Sequence, residues 1–513
     1  MFNKKITILA SIIISLFIIN SCKTPPKITT DKINAIWGER ISVDTQQKDN
    51  LEIFLNSKLL ENSNSSISNG KLYFDLIRPA NYSFSKEDII EIKSSKSLIA
   101  KYILRANGRM QTNELNVYFP CKDINKPAQY ESLLKARLGL NFDLVSFYQS
   151  SGQKANDLKK VDCIASLKFI EKNKTTKEVL KQLTDFTHQL VSSATIERNY
   201  IFINDQGTTA HFDPKCMQAT TLLNESEAST PISIDKLVQG GVISLPTGTG
   251  HGVKIAVLDS GISNSQNVAG GFIDLDRSQN FTTEDNIIDV VNCKNYPNAP
   301  KPDFLDGGHG QQVVKLIHTI ANEATLTMLK VCNSFGECSS SNVSTALLYL
   351  RDLAQSGVKY DLINMSLGNE NASFISQSIL TDLFDLSPNT ILVSSAGNNA
   401  TDTEHYPASL ANDSNFTDNI LGIAAAKYIS GSFVIANINT GKQVNSEITS
   451  LMAPGINLVI SGSPSPLMGT SFAAPLATAI IARKKQANSS LKATDIHNQC
   501  LPAAPTCNYE MVQ

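Results

Sequence analysis

The sequence has no excess of charge of one sign. Its 45 Lys and Arg residues are almost balanced by 47 Asp and Glu residues, so the formal net charge is −2. Proteins that bind nucleic acid usually present a strongly basic surface, and the composition therefore indicates no nucleic-acid partner. Hydrophobic residues make up 42% of the chain and charged residues 18%, which is typical of a globular protein and excludes a mainly disordered one.

The N-terminus lacks a hydrophobic run long enough for a comfortable membrane span. The apolar run Ile6–Ile19 follows Lys4 and Lys5, and this order is typical of an export signal rather than of a transmembrane helix. The stretch Ile19–Cys22 resembles a bacterial lipoprotein signal, which implies cleavage after residue 21 and a lipid anchor on Cys22. An ordinary secretory signal is the alternative. In both cases we expect an exported protein, and with the lipid it would be held at the membrane of the bacterial cell envelope.

The cysteines lack histidine partners at the spacing of a zinc site, which argues against bound zinc. Apart from Cys22 their number is even, and in an exported chain disulfides are the favoured interpretation. These cysteines are Cys121, Cys163, Cys216, Cys293, Cys332, Cys338, Cys500 and Cys507. The spacing leaves their pairing open, although Cys332 with Cys338 and Cys500 with Cys507 would close short loops, and Cys121 with Cys163 would fall within one domain.

The length of 513 residues suggests about three domains. Between residues 33 and 119, short apolar runs are separated by Asn, Ser and Gly, which predicts a small β-sandwich of the immunoglobulin-like kind. Three of these runs are Ile36–Val43, Leu98–Leu104 and Leu115–Phe119. Two roles fit such a domain, namely a spacer that holds the rest of the chain off the membrane, which we favour, and a module that recognises substrate or cell wall.

Residues 120–204 have a mixed α+β pattern. Thr175 and Glu178 form a capping box, and the helix that begins there places Val179 and Leu183 on one apolar face. The run Ala194–Ile203 then predicts a strand. A polar connector, residues 205–232, follows, and exposed connectors of this kind are where chains are cut.

Ser471 stands at the start of a predicted helix. It lies within Gly469–Pro475, just before the small-residue run Ala473–Ala482. Its hydroxyl would therefore lie at a helix N-terminus, where unpaired N–H groups favour developing negative charge. On its own, such a serine would usually be no more than a helix cap.

Two further motifs supply the partners that a nucleophilic serine needs. The buried-strand pattern Val253–Leu258 ends at Asp259, and His309 lies in the Gly-rich turn Asp306–Gly310 before an amphipathic helix. Either motif alone would usually be a turn or a loop. Together, in the order Asp, His, Ser, they provide the acid, the base and the nucleophile of an acyl-transfer triad.

With these motifs, residues 233–513 resemble the subtilase family of serine proteases. The blocks that carry the resemblance are Ala256–Ile262, Gly308–Gly310, Ile363–Gly368, Ile391–Asn399 and Gly469–Pro475. The last block matches the serine motif of the family without a mismatch. One position departs from the family pattern, because Gln311 stands where threonine is usual, two residues after the histidine.

The resemblance implies a role for each matched residue. Asp259, His309 and Ser471 would be catalytic, the Asn398 amide would lie in the oxyanion hole, and Ser366, Leu367 and Gly368 would bind the substrate backbone. The implied activity is that of a serine endopeptidase acting on proteins or peptides, with no required cofactor. Calcium is common in the family, but no Asp-rich loop in this sequence assigns a site for it.

The alternation of strands and helices in residues 233–513 predicts an α/β fold with a mainly parallel sheet and helices on both faces. The strand Ala194–Ile203 is similar to the closing strand of subtilase propeptides, which inhibit their own enzyme. We therefore expect residues 120–204 to be a propeptide-like domain and predict cleavage between Asp205 and Ile234. The resulting division is 1–21 signal peptide, 22–32 tether, 33–119 β-sandwich, 120–204 propeptide-like domain, 205–232 linker with the processing site, and 233–513 catalytic domain.

Two other functions are compatible with the sequence. One is a dedicated processing protease that matures a single exported peptide or protein. The other is an inactive surface protein that only binds, and the presence of Asp259, His309, Asn398 and Ser471 together argues against it.

Overall fold

The structure is a computed structural model. It describes residues 30–45, 51–60, 64–77, 88–94, 97–121, 131–132, 135–136, 139–150, 162–190, 194–204, 231–239, 243, 245–262, 272–282, 308–333, 336–398, 403–436, 451–460, 466–499, 501–502 and 510–511. The predicted signal peptide with Cys22 and the connector residues 205–230 lie outside these ranges. Within them, no helix is long and apolar enough to cross a membrane.

The N-terminal region, defined here as residues 30–204, is built mainly from strands. Its elements are β1 Thr30–Trp37, β2 Arg40–Asp44, β3 Leu51–Leu55, β4 Lys58–Leu59, β5 Ser65–Ser68, β6 Lys71–Asp75, β7 Asp88–Ser94, β8 Ser97–Pro120, β9 Phe142–Gln149, β10 Asp162–Phe169, α1 Thr176–Leu190 and β11 Thr195–Asn204.

Two sheets face each other in the first part of this region. One is the antiparallel sheet β2-β6-β5, and the other contains β4, β3, β7 and the first half of β8, with β1 added in parallel. Trp37, Phe74, Ile90 and Leu104 are buried in the core that the sheets share. Because side chains alternate along a strand, each sheet turns one apolar face to this core and forms a small sandwich.

The second half of β8 belongs to another sheet. There it lies between β10 and β11, both antiparallel to it, while β9 pairs with β10. Helix α1 packs Val179 and Leu183 against this sheet. Its predicted capping box is present, since the Thr175 N–H donates to Glu178 Oε2 (2.7 Å) and the Glu178 N–H donates to Thr175 Oγ1 (3.2 Å).

The change from the first core to the second occurs inside β8. Leu115, Val117 and Phe119 are buried with Cys163 and Leu183 in the second core, although the sequence pattern assigns residues up to 119 to the sandwich. One strand serves both cores because each part of it turns its apolar side chains toward the layer that covers that part. The second core therefore includes β8 from residue 115 onward.

The C-terminal region, defined here as residues 231–511, alternates strands and helices. Its elements are β12 Ile232–Ser233, α2 Ile234–Gln239, β13 Lys254–Asp259, β14 Gln279–Asn280, α3 His309–Ile320, β15 Thr325–Lys330, β16 Glu337–Ser339, α4 Ser340–Gln355, β17 Leu362–Met365, β18 Leu367–Gly368, α5 Phe374–Leu386, β19 Ile391–Ser395, a 3₁₀-helix Ala408–Asn412, β20 Ile420–Ile429, β21 Ser432–Ile435, β22 Leu451–Pro454, β23 Leu458–Val459, α6 Thr470–Ala487, α7 Ala493–Gln499, β24 Leu501–Pro502 and β25 Glu510–Met511.

A parallel sheet in the order β14-β15-β13-β17-β19-β20-β22 forms the centre of this region. Helices α3 and α6 cover one face of the sheet, where Val257 of β13 packs against them. Helices α4 and α5 cover the other face, where Leu258 packs against them. A strand that is buried on both faces has to be apolar along its whole length, which is the pattern of β13. The predicted α/β fold with helices on both faces is confirmed.

Strand β11 connects the two regions. Its first half pairs with β8, and its end pairs antiparallel with β16 and β18 of the C-terminal region. Phe202 lies opposite Cys338, and Asn204 lies opposite Leu367. The last strand of the N-terminal region therefore lies on the segment that the sequence assigns to substrate.

Two of the disulfides considered from the sequence are present. Cys121 is bonded to Cys163 in the N-terminal region, and Cys332 is bonded to Cys338 beside β16. The other cysteines, among them Cys500 and Cys507, lie outside the described residues.

Candidate active site

Asp259 is the last residue of β13, which lies between β15 and β17. Its backbone carbonyl accepts hydrogen bonds from the N–H groups of Val331 (2.9 Å) and Cys332 (3.2 Å). Its side chain is fully buried, and Oδ1 accepts from the N–H of Ser260 (2.6 Å). The carboxylate is thus held at the carboxyl edge of the parallel sheet, where α/β enzymes place their reactive groups.

His309 begins α3 and directs its ring at Asp259. Its Nδ1 lies 2.9 Å and 3.0 Å from the two carboxylate oxygens. A carboxylate can only accept hydrogen bonds, so Nδ1 carries the proton and Nε2 of the neutral ring is the basic nitrogen. The close approach requires Gly310, since a Cβ at that position would lie 2.3 Å from the carbonyl oxygen of Gly261.

Ser471 lies in the first turn of α6, which begins at Thr470. The chain enters the helix through Gly469, whose φ of 133° favours glycine. The N–H groups of a first turn have no acceptor within the helix. The ring of Phe472 contacts the ring of His309 with 5.2 Å between the centroids, which brings the start of α6 next to the histidine.

Two buried polar atoms in this part of the molecule have no hydrogen-bond partner among the described residues. They are His309 Nε2 and Ser471 Oγ. Ser471 is fully buried and His309 is 2% exposed. Buried polar atoms are nearly always paired, so a base and a hydroxyl that both lack a partner point to an arrangement completed by substrate.

The side chain of Asn398 is hydrogen-bonded to Thr470, the residue that precedes Ser471. Its Oδ1 accepts from the N–H of Thr470 (2.9 Å), and the N–H of Gly397 donates to Thr470 Oγ1 (3.2 Å). Because the oxygen of the amide faces Thr470, its Nδ2 donor lies at the opposite end of the amide group. This orientation suits a donor to an oxyanion formed near Ser471.

The residues that the resemblance assigns to substrate binding are buried along β17 and β18. Ser366 Oγ accepts from Asn364 Nδ2 (3.0 Å), and Leu367–Gly368 forms β18. A Cβ at residue 368 would lie 1.9 Å from His405 Nε2, so any larger residue here would have to displace the buried His405 ring. Ile203 pairs with Gly368, and a segment of this chain therefore occupies the edge of β18.

The side chain of Phe202 belongs to the core that α4 and α5 share with the sheet, and it forms part of the wall of a mainly apolar pocket beside that strand. The pocket is lined by Val343, Leu347, Met365, Leu380, Pro407 and Leu410, among others. Phe202 is 3% exposed, and full burial of a phenylalanine side chain contributes about 1.5–3 kcal/mol. Phe202 therefore anchors β11 on the C-terminal region.

Two buried charged residues that support these contacts lie outside the sequence motifs. Lys330 Nζ donates to the carbonyls of Ser260 (2.7 Å) and Cys332 (2.9 Å), which fixes the loop after Asp259. A lone lysine at the end of an apolar strand is a signal that could have identified it. Glu197 of β11 accepts from Ser373 Oγ (2.7 Å) at the start of α5, and no local pattern indicates that contact.

Two other side chains of α3, His318 and Gln311, also bear on the sequence patterns. His318 stacks on Phe272 with 3.9 Å between the ring centroids, and burial lowers the pKa of its imidazole. It is half-buried on the surface of α3. Gln311, the departure from the family pattern, is 2% exposed.

The family model described as "Subtilase family" matches residues 250–512, just over half of the 513 residues. The chain belongs to the subtilase family. The subtilase match contains Asp259, His309, Asn398 and Ser471, and it leaves the N-terminal region outside.

Individual proteins and solved structures are also similar to this chain. The M-protease of Shouchella clausii (strain KSM-K16) is 26% identical over 265 residues, which are 49% of this chain and 58% of that protein. The cell wall-associated protease of Bacillus subtilis (strain 168) is 23% identical over 271 residues, 50% of this chain and 26% of that protein. The solved structure of fervidolysin from Fervidobacterium pennivorans, described as a keratinolytic enzyme related to subtilisin, is 17% identical with a TM-score of 0.47, covering 75% of this chain and 56% of that one. This chain thus spans little more than half, or less, of the length of these proteins.

Proposed function

We propose that this subtilase is an exported serine endopeptidase that hydrolyses peptide bonds in proteins or peptides through an acyl-enzyme. The observation that carries the proposal is the buried pair of Asp259 and His309, with Nδ1 2.9 Å from the carboxylate, beside the helix start that bears Ser471. The atoms that would exchange a proton, His309 Nε2 and Ser471 Oγ, are both among the buried polar atoms without a hydrogen-bond partner in the described part of the chain.

Each residue of the proposed triad has one task. Ser471 Oγ would attack the substrate carbonyl while His309 Nε2 takes its proton and later gives it to the leaving amine. Asp259 would keep the proton of the neutral ring on Nδ1 and stabilise the imidazolium. A hydrogen bond between the base and the nucleophile is often long until substrate is bound, which agrees with the lack of a hydrogen bond between these two atoms here.

The negative charge of the tetrahedral intermediate would be stabilised at the start of α6. We assign the donors to Asn398 Nδ2 and the Ser471 N–H, and the N-terminus of the helix adds its positive partial charge. These steps use side chains and backbone alone and need no cofactor. In the described part of the chain no three His, Cys, Asp or Glu side chains are grouped as metal ligands, and no residue is assigned to calcium.

We propose further that residues 120–204 are a propeptide that inhibits the protease for as long as β11 lies on β18, and that the connector is cut between Asp205 and Ile234. The pairing of β11 with β18 and the burial of Phe202 support this role. A strand that fills the substrate edge excludes other peptides from it. The inhibitor is therefore the enzyme's own N-terminal region.

The proposed location is the bacterial cell envelope, with a lipid on Cys22 and release of the protease as the alternative after processing. The apolar run after Lys4 and Lys5 supports export. The printed name of one relative, a cell wall-associated protease, agrees with a location outside the cytoplasm. The sandwich formed by β1–β8 would serve as the spacer.

A narrower version of the proposal is a protease that processes one exported partner. Its support is the extended contact with β11. This strand pairs with β16 and β18 and also contributes Phe202 to the wall of the pocket. The rival is an inactive surface protein that only binds. The active protease and the inactive binding protein predict different results, and a single experiment separates them.

The experiment compares residues 23–513 with the Ser471→Ala variant, expressed under oxidising conditions and followed by gel and N-terminal sequencing. We expect the parent chain to be cut between Asp205 and Ile234 and Ser471→Ala to stay whole. The exposed Ser490→Ala serves as the control and should behave like the parent. If all three stay whole and none reacts with a serine-directed phosphonate, the inactive binding protein becomes the better account.

A further inference from the structure

Beyond β18, the side chain of Asn369 makes a contact that neither the family motifs nor the triad requires. Asn369 Nδ2 donates to the backbone carbonyl of Ile201 in β11. We propose that Asn369 binds the same carbonyl in substrates, two residues before the residue that pairs with Gly368, and thereby selects substrates that extend that far. The inference rests on the proposed protease function and names a specificity residue for it.

The position of β11 defines the backbone path of an extended ligand. Ile203 pairs with Gly368 on one side, and Ile201 pairs with Ser339 on the other. Strand addition of this kind is held mainly by backbone hydrogen bonds, which any sequence can supply. A substrate in the same place would therefore present a carbonyl where Ile201 presents one.

The Asn369 side chain is oriented by its own surroundings rather than by β11. Its Oδ1 accepts from the backbone N–H (2.7 Å) and from Nδ2 (3.0 Å) of Asn371, which leaves Nδ2 facing β11. Its backbone is bonded in both directions to Tyr406, with N–O distances of 3.0 Å and 2.7 Å. A donor that is already held in place loses little conformational entropy when a ligand arrives.

Asn369 is also buried, with 8% of its surface exposed. When β11 leaves the site, Nδ2 loses the acceptor that Ile201 provides. The departure of β11 also uncovers Asn369, so water takes the place of that carbonyl. The carbonyl of an extended substrate displaces this water and meets a donor that is already oriented, whereas a substrate that ends before this position gains nothing from Asn369 and binds less well.

Two peptides test this contact with almost no other difference. Both carry residues 203–234 of this chain with Cys216→Ser. One begins with N-acetylated Phe202, whose acetyl group supplies the carbonyl of residue 201, and the other has 3-phenylpropionyl in place of Phe202, which keeps the ring and lacks that carbonyl. Mixed in one tube, they compete for the enzyme, and the ratio of their rates gives the ratio of kcat/KM however much enzyme is active.

The processed chain of residues 23–513 should prefer the acetyl peptide by about five- to tenfold, the value of one hydrogen bond. Asn369→Asp keeps the acceptor for Asn371 but loses the donor, and the preference should fall to about the level that the Phe202 N–H alone provides. Asn415→Asp is the control for the same substitution, because Asn415 lies in an exposed turn where it donates to Asp413, and it should keep the full preference.

The outcomes separate this inference from the proposed function. An active wild type whose preference is unchanged in Asn369→Asp overturns the role of Asn369 and leaves the protease intact. A wild type that cleaves neither peptide, or no faster than Ser471→Ala, overturns the protease proposal and this inference with it.

Discussion

His309 and Ser471 each keep a buried polar atom for which the described residues offer no hydrogen-bond partner. Each such atom costs about 1–3 kcal/mol, and a folded protein is stable by only about 5–15 kcal/mol. The cost is understandable if a substrate completes the contact. Attack by Ser471 would pass its proton to His309, and the buried Asp259 carboxylate would balance the charge of the imidazolium.

At the same scale, Asn398 is the residue whose removal should separate catalysis from binding. Asn398→Ala should lower kcat by about 10²–10³-fold and leave KM nearly unchanged, because its Nδ2 acts mainly on the oxyanion; this range is the one known for such a donor in subtilisin, a member of the same family. Steady-state kinetics on a peptide substrate checks it. The exposed Asn415→Ala should have no effect, and a larger change in KM than in kcat for Asn398→Ala would argue against the oxyanion role.

At the scale of elements, the hydrophobic patterns locate strands better than they locate strand ends. The run Ile36–Val43 predicts one strand, but the structure breaks it at Gly38, where φ is 98° and a Cβ would lie 2.2 Å from the carbonyl oxygen of Met110. Conversely, Leu98–Leu104 and Leu115–Phe119 predict two strands, and both belong to β8. Periodicity indicates which face a residue takes, whereas a break or a continuation depends on neighbours far away in the sequence.

In the candidate site too, local motifs could be predicted from the sequence, whereas contacts between distant residues could not. The four matched site residues could be predicted because each stands in a local motif, a strand end, a Gly-rich turn or a helix start. The contact of Glu197 with Ser373 and that of Asn369 with Ile201 join residues far apart in the chain. Neither has a local pattern, so both depend on how β11 docks, which sequence reasoning did not provide.

The contact of β11 with α5 predicts a pH-dependent association. Burial raises the pKa of Glu197 to about 7, while hydrogen bonds from Ser373 and from the backbone of Ile375 and Phe374 lower it in part. Once released into water, the carboxyl returns to its ordinary value near 4.5. Docking therefore takes up a proton, so this contribution is complete below the released value and is lost as the pH rises through about 7.

We accordingly expect the cleaved N-terminal region to stay on the protease better at pH 5 than at pH 8. Gel filtration of the processed chain across this range measures the bound fraction. Glu197→Gln is neutral throughout and should flatten the profile, whereas Glu178→Gln, which alters only the capping box of α1, should leave it as in the wild type. A profile that Glu197→Gln does not change would assign the pH effect to other groups.

At the scale of the whole molecule, charged groups are buried where the two regions meet. Arg351 of α4 binds Asp162 at the start of β10, and neither side chain is exposed. Tyr118 donates to the same carboxylate (2.9 Å), and Asp352 lies 3.0 Å from Arg351. Charges removed from water in this way are tolerated only while they stay paired. We therefore expect the two regions to remain associated.

This interface decides what happens to the protease after the connector is cut. We expect the wild-type regions to co-elute at pH 6 although no bond of the chain joins them, so that a lipid on Cys22 would still hold the protease at the membrane.

The substitution Asp162→Asn tests this interface, because it leaves the buried charge of Arg351 with less compensation. Removing one partner of a buried pair costs about 3–5 kcal/mol, and Asp352 should reduce this toward the lower end, which still weakens the association by about 100-fold. The exposed Asp143→Asn is the control, and analytical ultracentrifugation of the cleaved proteins gives the dissociation constants. Equal constants for Asp162→Asn and the control would mean that the ion pair does not hold the regions together, and retention of the protease would then have to come from β11 and the Phe202 pocket alone.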